Sequence, residues 1–277
     1  MHIKVKKASG VIENFNAMKL LDSLVRSGAS REQADEIIEQ VVSQVKPYTS
    51  TKKIFRLAHK YLRQFNRASV LRYSLKNALM RLGPTGYPFE RYVGELLRQY
   101  GYRVRVGLIM DGKCVRHEVD VYAERDREAA FIECKFRNSA ERTPDVKVAM
   151  YFHSRFLDLR AAIGRRAGKK QYRGWLVTNT RFTSDALQYG SCSGLILKSW
   201  RYPEKEGLEQ MIEEKKMYPV TVMSGFTSAQ MRKLMEHRII LMKDLAAMAP
   251  RDIARLLSVS EKRAGDISEQ ADQLCFC

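Results

Sequence analysis

A strand-like apolar run that carries a charged pair constrains this chain most. In AAFIECKF, residues 129–136, the two-residue period of an extended strand places Ile132 and Cys134 on one face and Glu133 and Lys135 on the other. The apolar face must enter a core, so the run is predicted to be a strand of a covered sheet. A lone Glu-x-Lys arises by chance about once in a chain of this length, so the surrounding residues must decide its meaning.

The segments around this run alternate between strand and helix patterns. YRVRVGLIM, RHEVDVYAE, WLVTNT and GLILKSW have the pattern of strands, whereas DVKVAMYFHSRFLDLRAAI and SDALQYG have the pattern of helices. This succession predicts an α/β core in which a mixed sheet is flanked by helices.

Two mainly helical segments flank that core. A short hairpin near Gly10 precedes helices with candidate N-caps at Asn16, Ser30 and Ser50. Short helices also predominate from Met223 onward. The punctuation at LGPTGYP marks a first boundary. The sequence therefore predicts three units, at residues 1–82, 83–200 and 201–277.

The charge of the chain is regional. The 49 Lys and Arg against 31 Asp and Glu give +18, with 16 basic and 6 acidic side chains in residues 1–82, 21 and 13 in 83–200, and 12 of each in 201–277. Such a field favours a polyanion such as nucleic acid, although it can also serve an anionic membrane or solubility. The five cysteines include no CxxC pair, and no stretch is apolar enough to span a membrane, so we expect a cytoplasmic protein without a membrane partner.

The strand before the charged pair offers a second carboxylate. Asp120 stands between Val119 and Val121, and a hairpin would bring it beside Glu133 and Lys135. Two carboxylates can hold Mg²⁺, and a lysine can stabilise charge on a reacting phosphate. The alternative is a surface ion pair worth about 0–1 kcal/mol.

The block GYPFERYVGELLRQYGYRV … HEVDVYAE … FIECKFRN … WLVTNTRFTSDALQYG resembles the Mrr-like branch of the PD-(D/E)xK restriction-endonuclease superfamily. This resemblance implies Asp120 and Glu133 as ligands of Mg²⁺ or Mn²⁺ and Lys135 as the catalytic lysine. It also implies that Glu90, on the leading helix, completes the metal site and takes part in catalysis.

The first 82 residues resemble an ATP-cone, the nucleotide-sensing module of ribonucleotide reductases and their regulator. The family pattern Val-x-Lys-Arg-Asp-Gly is matched in VKKASG at Val5, Lys7 and Gly10, with the Arg and Asp replaced, and a second element ends at Lys19. The resemblance implies ATP or dATP as an effector, bound through Val5, Lys7 and Lys19.

The remaining basic and helical segments suggest further contacts. Residues 228–274 resemble tandem helix-hairpin-helix domains, although the signature glycine is missing, and a protein contact is as good an interpretation as DNA binding. The basic loop at residues 165–173 is a candidate to follow a DNA backbone.

These observations predict a metal-dependent DNA endonuclease regulated by ATP or dATP. The alternatives are a nucleotide-responsive DNA-binding regulator on a nuclease scaffold, and a junction resolvase or RNA nuclease with the same chemistry. A homo-oligomer is open on the sequence alone.

Overall fold

The computed structural model of the chain describes residues 3–7, 10–65, 67–83, 85–139, 141–164 and 170–276. Residues 165–169 of the predicted basic loop lie outside these ranges. Every helix in the described ranges is too short or too polar to cross a lipid bilayer.

The N-terminal unit combines a small sheet with five helices. Its elements are β1 (Lys4–Lys6), β2 (Ile12–Asn14), α1 (Ala17–Arg26), α2 (Arg31–Gln44), β3 (Thr49–Ser50), α3 (Thr51–Leu62), α4 (Arg67–Tyr73) and α5 (Leu75–Met80). Strand β1 pairs antiparallel with β2 and parallel with β3. The predicted N-caps are confirmed, because the side chains of Asn16, Ser30 and Ser50 each accept a hydrogen bond from the backbone N–H three residues later.

The central unit is the predicted mixed sheet flanked by helices. Its elements are α6 (Tyr87–Gln99), β4 (Arg103–Asp111), β5 (Arg116–Arg125), β6 (Glu128–Lys135), α7 (Val146–Ile163), β7 (Gln171–Thr178), α8 (Ser184–Ser193) and β8 (Ile196–Lys198). The strand order is β4-β5-β6-β7-β8, antiparallel from β4 to β6 and parallel from β6 to β8. One apolar cluster joins the sheet to α6, and a second joins its other face to α7.

The C-terminal unit is helical. Its elements are α9 (Leu208–Glu214), a 3₁₀ turn (Val220–Val222), α10 (Ser228–Glu236), α11 (Met242–Ala246), α12 (Pro250–Leu257) and α13 (Glu261–Phe276). Ser258 ends α12 in a left-handed conformation with φ 55°. The apolar cluster on the α6 face of the sheet continues into these helices, so the two units share one core.

Candidate active site

Strand β5 changes face at Asp120. In a regular strand Val119 and Val121 would share a face, but Val119 packs with the α7 cluster and Val121 with the α6 cluster. The alternation therefore breaks at the residue between them. This break places Asp120 at a bend of the sheet.

Strand β4 makes the same change at Gly107. Val106 pairs with Val121 and packs on the α6 side, whereas Leu108 pairs with Val119 and packs on the α7 side. Gly107 lies between them with φ +67°, and a Cβ there would meet no atom within 4 Å. This residue was not predicted, although an isolated glycine inside a strand pattern is a known sign of a bulge or bend.

The bend also changes how Asp120 is bonded. The ladder between β5 and β6 ends at the pair Val121–Ile132. Beyond it, the backbone N–H of Cys134 donates to Oδ2 of Asp120 at 2.7 Å. The carboxylate is therefore held against β6 beside the Glu133 and Lys135 positions.

Glu133 is the most buried charge of the group and is paired with two cations. Its side chain is 4% exposed, with Oε1 2.5 Å from Nζ of Lys135 and Oε2 2.7 Å from Nη1 of Arg155. Lys135 stays 30% exposed and can be reached from solvent. The alternative interpretation, a surface ion pair, does not fit a carboxylate that is so deeply buried.

Arg155 was missed by sequence reasoning. It belongs to α7, where Phe152, Phe156 and Leu159 face the sheet, and it lies next to that buried face. Its Nη1 also donates to the backbone oxygen of Glu118 at 3.1 Å. An arginine beside the apolar stripe of a covering helix was the only sequence signal for this contact.

The carboxylates repel one another. Burial, with the charge of Glu133 next, raises the pKa of Asp120 to about 6, although Lys135 and Arg155 oppose the shift. Burial also raises the pKa of Glu90 to about 7, with the charges of Asp120, Glu118 and Glu133 adding to it. The charges of Asp120 and Glu133 thus act on Glu90 of α6, and its role as a metal ligand stays a prediction.

The carboxylate oxygens are chemically suited to Mg²⁺, but they are too far apart to form one coordination shell. Within the described ranges, no group of three or more His, Cys, Asp or Glu side chains could enclose a metal. Carboxylate oxygens are nonetheless the ligands that Mg²⁺ prefers, and the repulsion that raises the pKa values of Asp120 and Glu90 is what a divalent cation would relieve. Such an ion would have to share an oxygen of Glu133 with Lys135 or Arg155.

The residues proposed for nucleotide binding lie in the N-terminal unit. Val5 is buried in its core, whereas Nζ of Lys7 lies 2.7 Å from Oε2 of Glu13 across the hairpin. The hydrogen bond and charge of Lys7, together with the charge of Lys19, lower the pKa of Glu13. The two predicted lysines therefore lie around one carboxylate.

His117 supports a turn instead of joining the carboxylates. Its Nε2 lies 2.8 Å from Oδ2 of Asp158 on α7, and Asp158 also accepts the backbone N–H groups of Cys114 and Val115. This cluster ties the β4–β5 turn to α7.

Parts of this chain are similar to known families and proteins. Residues 218–275 match the family described as AF1548-like, C-terminal. The crystal structure of AF1548, a protein of unknown function, has 32% identity and a TM-score of 0.57, covering 69% of this chain and 98% of its own. An uncharacterized protein of Archaeoglobus fulgidus is 35% identical over 182 residues, or 66% of this chain and 99% of that protein.

The chain belongs to the AF1548-like family. Within this AF1548-like chain, residues 83–199 match the family model described as restriction endonuclease, which confirms the predicted resemblance there. The structure of Can2 from Sulfobacillus thermosulfidooxidans with cyclic tetra-adenylate has 13% identity and a TM-score of 0.31, covering 68% of this chain and 60% of its own. The complex of the MspJI restriction endonuclease with an oligonucleotide has 12% identity and a TM-score of 0.30, covering 87% of this chain and 48% of its own. Both structures are too dissimilar to support an argument. Neither family match reaches residues 1–82, so the ATP-cone resemblance stays a prediction.

Proposed function

We propose that this AF1548-like protein is a metal-dependent endonuclease that hydrolyses phosphodiester bonds in DNA. The supporting observation is the grouping of Asp120, Glu133, Lys135 and Glu90 around the bend of β5, within a segment that matches the restriction endonuclease family. The basic surplus of the chain supports nucleic acid as the partner.

Each residue has a distinct part in the proposed chemistry. A divalent ion that drew the side chains of Asp120, Glu133 and Glu90 together would supply Lewis-acid activation of the phosphate and of a water molecule. Lys135 presents its ammonium group to the phosphate from a partly exposed position and stabilises the negative charge that develops there. Arg155 neutralises the second oxygen of Glu133 and keeps this buried carboxylate oriented.

The test is cleavage of plasmid, junction and RNA substrates in Mg²⁺ and in Mn²⁺. We expect DNA cleavage by the wild type, its abolition in Asp120→Asn, and a loss of about 10²–10³ in rate in Lys135→Ala. Glu124→Gln is the matched control, because Glu124 is an ion-paired carboxylate on the same strand. Cleavage by Asp120→Asn at the wild-type rate would contradict the site, and cleavage of RNA or junctions alone would change the substrate.

One observation favours a second candidate, a DNA-binding regulator on a nuclease scaffold. Both oxygens of Glu133 are already paired with cations, which leaves them less available to a metal. A wild type that binds DNA tightly in Mg²⁺ and Mn²⁺ yet cuts none of the substrates would support the regulator.

We also propose ATP or dATP as an effector of the N-terminal unit. Lys7 and Lys19 lie around Glu13, and a triphosphate that displaced this carboxylate would meet two ammonium groups. Calorimetry with each nucleotide, for wild type and for Lys7→Ala with Lys19→Ala, tests this. We expect binding that the double substitution removes, and no heat from either nucleotide with the wild type would refute it.

A further inference from the structure

Helix α7 carries three exposed apolar side chains, one of which is a tyrosine. Ala149, Phe152 and Phe156 face the sheet, whereas Met150, Tyr151 and Leu157 are exposed on the outside of the helix. The ring-bearing residue is the most exposed of the three, because Tyr151 keeps 60% of its accessible surface. Tyr151 therefore offers a large, solvent-accessible ring on the outside of α7.

Tyr151 is joined to the candidate active site by Arg155. Nη2 of Arg155 donates to the Tyr151 hydroxyl at 2.8 Å, while Nη1 of the same guanidinium donates to Glu133 at 2.7 Å. The guanidinium carbon lies 4.9 Å from the centroid of the Tyr151 ring. The ring is therefore held at a fixed place beside the buried carboxylate, with its outer surface open.

A second exposed tyrosine lies on α6, the helix that carries Glu90. Tyr87 begins α6, is 56% exposed and precedes Glu90 by three residues, so the two side chains share one side of the helix. The guanidinium carbon of Arg91 lies 6.0 Å from the centroid of its ring. An aromatic ring with an arginine beside it thus occurs on each of the two helices that supply charged groups to the site.

We propose that Tyr151 stacks on an unpaired base of the substrate, so that the site takes single-stranded or locally unpaired DNA. This inference rests on the proposed nuclease function and names its substrate class. The rings of paired bases are covered by their neighbours in a duplex, and only unpaired bases offer a free face to an aromatic side chain. Tyr87 is the second stacking position.

Charge supports nucleic acid as the occupant of this face. Lys147 is exposed one turn before Met150 and Tyr151, and Asp158, the acidic residue of the same helix, is held inward by His117. A cation beside an apolar and aromatic surface suits a strand whose phosphates and bases are both accessible. A second copy of this chain is the competing occupant.

The experiment compares DNA binding by the wild type and three variants. EDTA removes divalent ions, so the DNA is not cut during the measurement. Fluorescence anisotropy measures the affinity of the full chain for a labelled 20-nucleotide single strand and for the matched duplex. Tyr151→Leu should weaken single-strand binding roughly 5- to 100-fold and duplex binding by less than about twofold. Tyr151→Phe keeps the ring and should retain single-strand binding within about threefold.

Tyr48→Leu is the matched control, since Tyr48 is an exposed tyrosine of the N-terminal unit far along the chain from the site. It should leave both affinities unchanged. Equal losses on both DNAs with Tyr151→Leu, or no loss on either, would overturn the stacking role. A shift from dimer to monomer in sedimentation with Tyr151→Leu would overturn it in favour of a second copy.

Cleavage separates this inference from the proposed function. Duplexes with and without a central unpaired bubble are cut in Mg²⁺ by wild type and Tyr151→Leu. If the wild type cuts preferentially at the bubble and Tyr151→Leu loses this preference, the result supports both the stacking role and the nuclease function. Equal cutting of both duplexes by both proteins refutes the stacking role and leaves the nuclease standing, whereas no cutting with intact Tyr151-dependent strand binding refutes the nuclease alone.

Discussion

At the residue scale, the candidate site is a group of carboxylates with unequal partners. Glu133 has two cations, whereas Asp120 has one backbone N–H and Glu90 has mainly like charges around it. The negative charges of Asp120 and Glu90 are therefore the least compensated of the three. This imbalance makes the stability of the metal-free protein depend on pH.

Asp120→Asn should stabilise the metal-free protein at alkaline pH. The pKa of Asp120 is raised from 3.8 to about 6, so its contribution to stability is complete below pH 3.8 and is lost as the pH rises through about 6. We expect the substitution to raise the free energy of unfolding by about 1–3 kcal/mol at pH 8, and the gain to vanish near pH 4. Urea denaturation in EDTA at both pH values measures it.

Glu124→Gln gives a control of opposite sign. The hydrogen bonds from Tyr122 and Lys170 lower the pKa of Glu124, so its contribution is present above pH 4.5 and is lost as the pH falls. This variant should be destabilised at pH 8. Equal stability of Asp120→Asn and the wild type at pH 8 would show that the ionised Asp120 carboxylate does not destabilise the fold.

At the element scale, the site depends on the shared bend of β4 and β5. Gly107 permits the bend because its φ of +67° lies in the left-handed region that other residues rarely adopt. The turn that joins the two strands is fixed separately, by Asp158 on α7.

Gly107→Ala should cost about 1–2 kcal/mol of stability because of backbone conformation alone. No atom would clash with the new methyl group, so steric crowding is not a competing explanation. Chemical denaturation measures the loss, and Gly265→Ala, at a helical glycine with open space around it, is the control. An unchanged stability of Gly107→Ala would mean that the bend does not depend on glycine.

Asp158→Asn should loosen the β4–β5 turn. The carboxylate accepts backbone N–H groups from Cys114 and Val115 at 2.9 and 3.3 Å and pairs with His117. Amide hydrogen exchange at Cys114 and Val115 should become faster in the variant, while exchange in β7 stays as it is. Unchanged protection of these two amides would contradict this account.

At the scale of the whole molecule, the central and C-terminal units are not independent in their packing. Tyr92 of α6 is fully buried, and its hydroxyl donates to the backbone oxygen of Met217 at 2.6 Å. The C-terminal unit also contacts α5 of the N-terminal unit, because the hydroxyl of Thr221 donates to the backbone oxygen of Ala78 at 2.8 Å. The C-terminal unit therefore packs against α6 and α5 and shares an apolar cluster with the sheet.

A chain that ends at residue 200 should lose cooperative unfolding. Removal of residues 201–277 exposes the apolar face around Tyr92, and calorimetry of the fragment should show no sharp transition. Tyr92→Phe in the full chain is the graded control, which removes one hydrogen bond and should cost about 1 kcal/mol. A sharp transition in the fragment would instead support the predicted boundary at 200/201 as a true domain limit.

The sequence by itself determined the local structure and the kinds of residue at the site. Patterns within a few positions were enough to predict the caps at Asn16, Ser30 and Ser50 and the succession of strands and helices. The same patterns identified Asp120 and Glu133 as charged residues within strands. Such patterns report on hydrogen bonds and side-chain faces between near neighbours.

The tertiary structure alone decided which distant groups meet. Arg155 lies 22 positions from Glu133, and Tyr92 lies 125 from Met217. Neither contact leaves a local pattern, because each depends on how a helix packs on the sheet. The common bend at Gly107 and Asp120 likewise needed both strands in register, since the conformation of one residue becomes a feature of the site only beside its neighbour on the next strand.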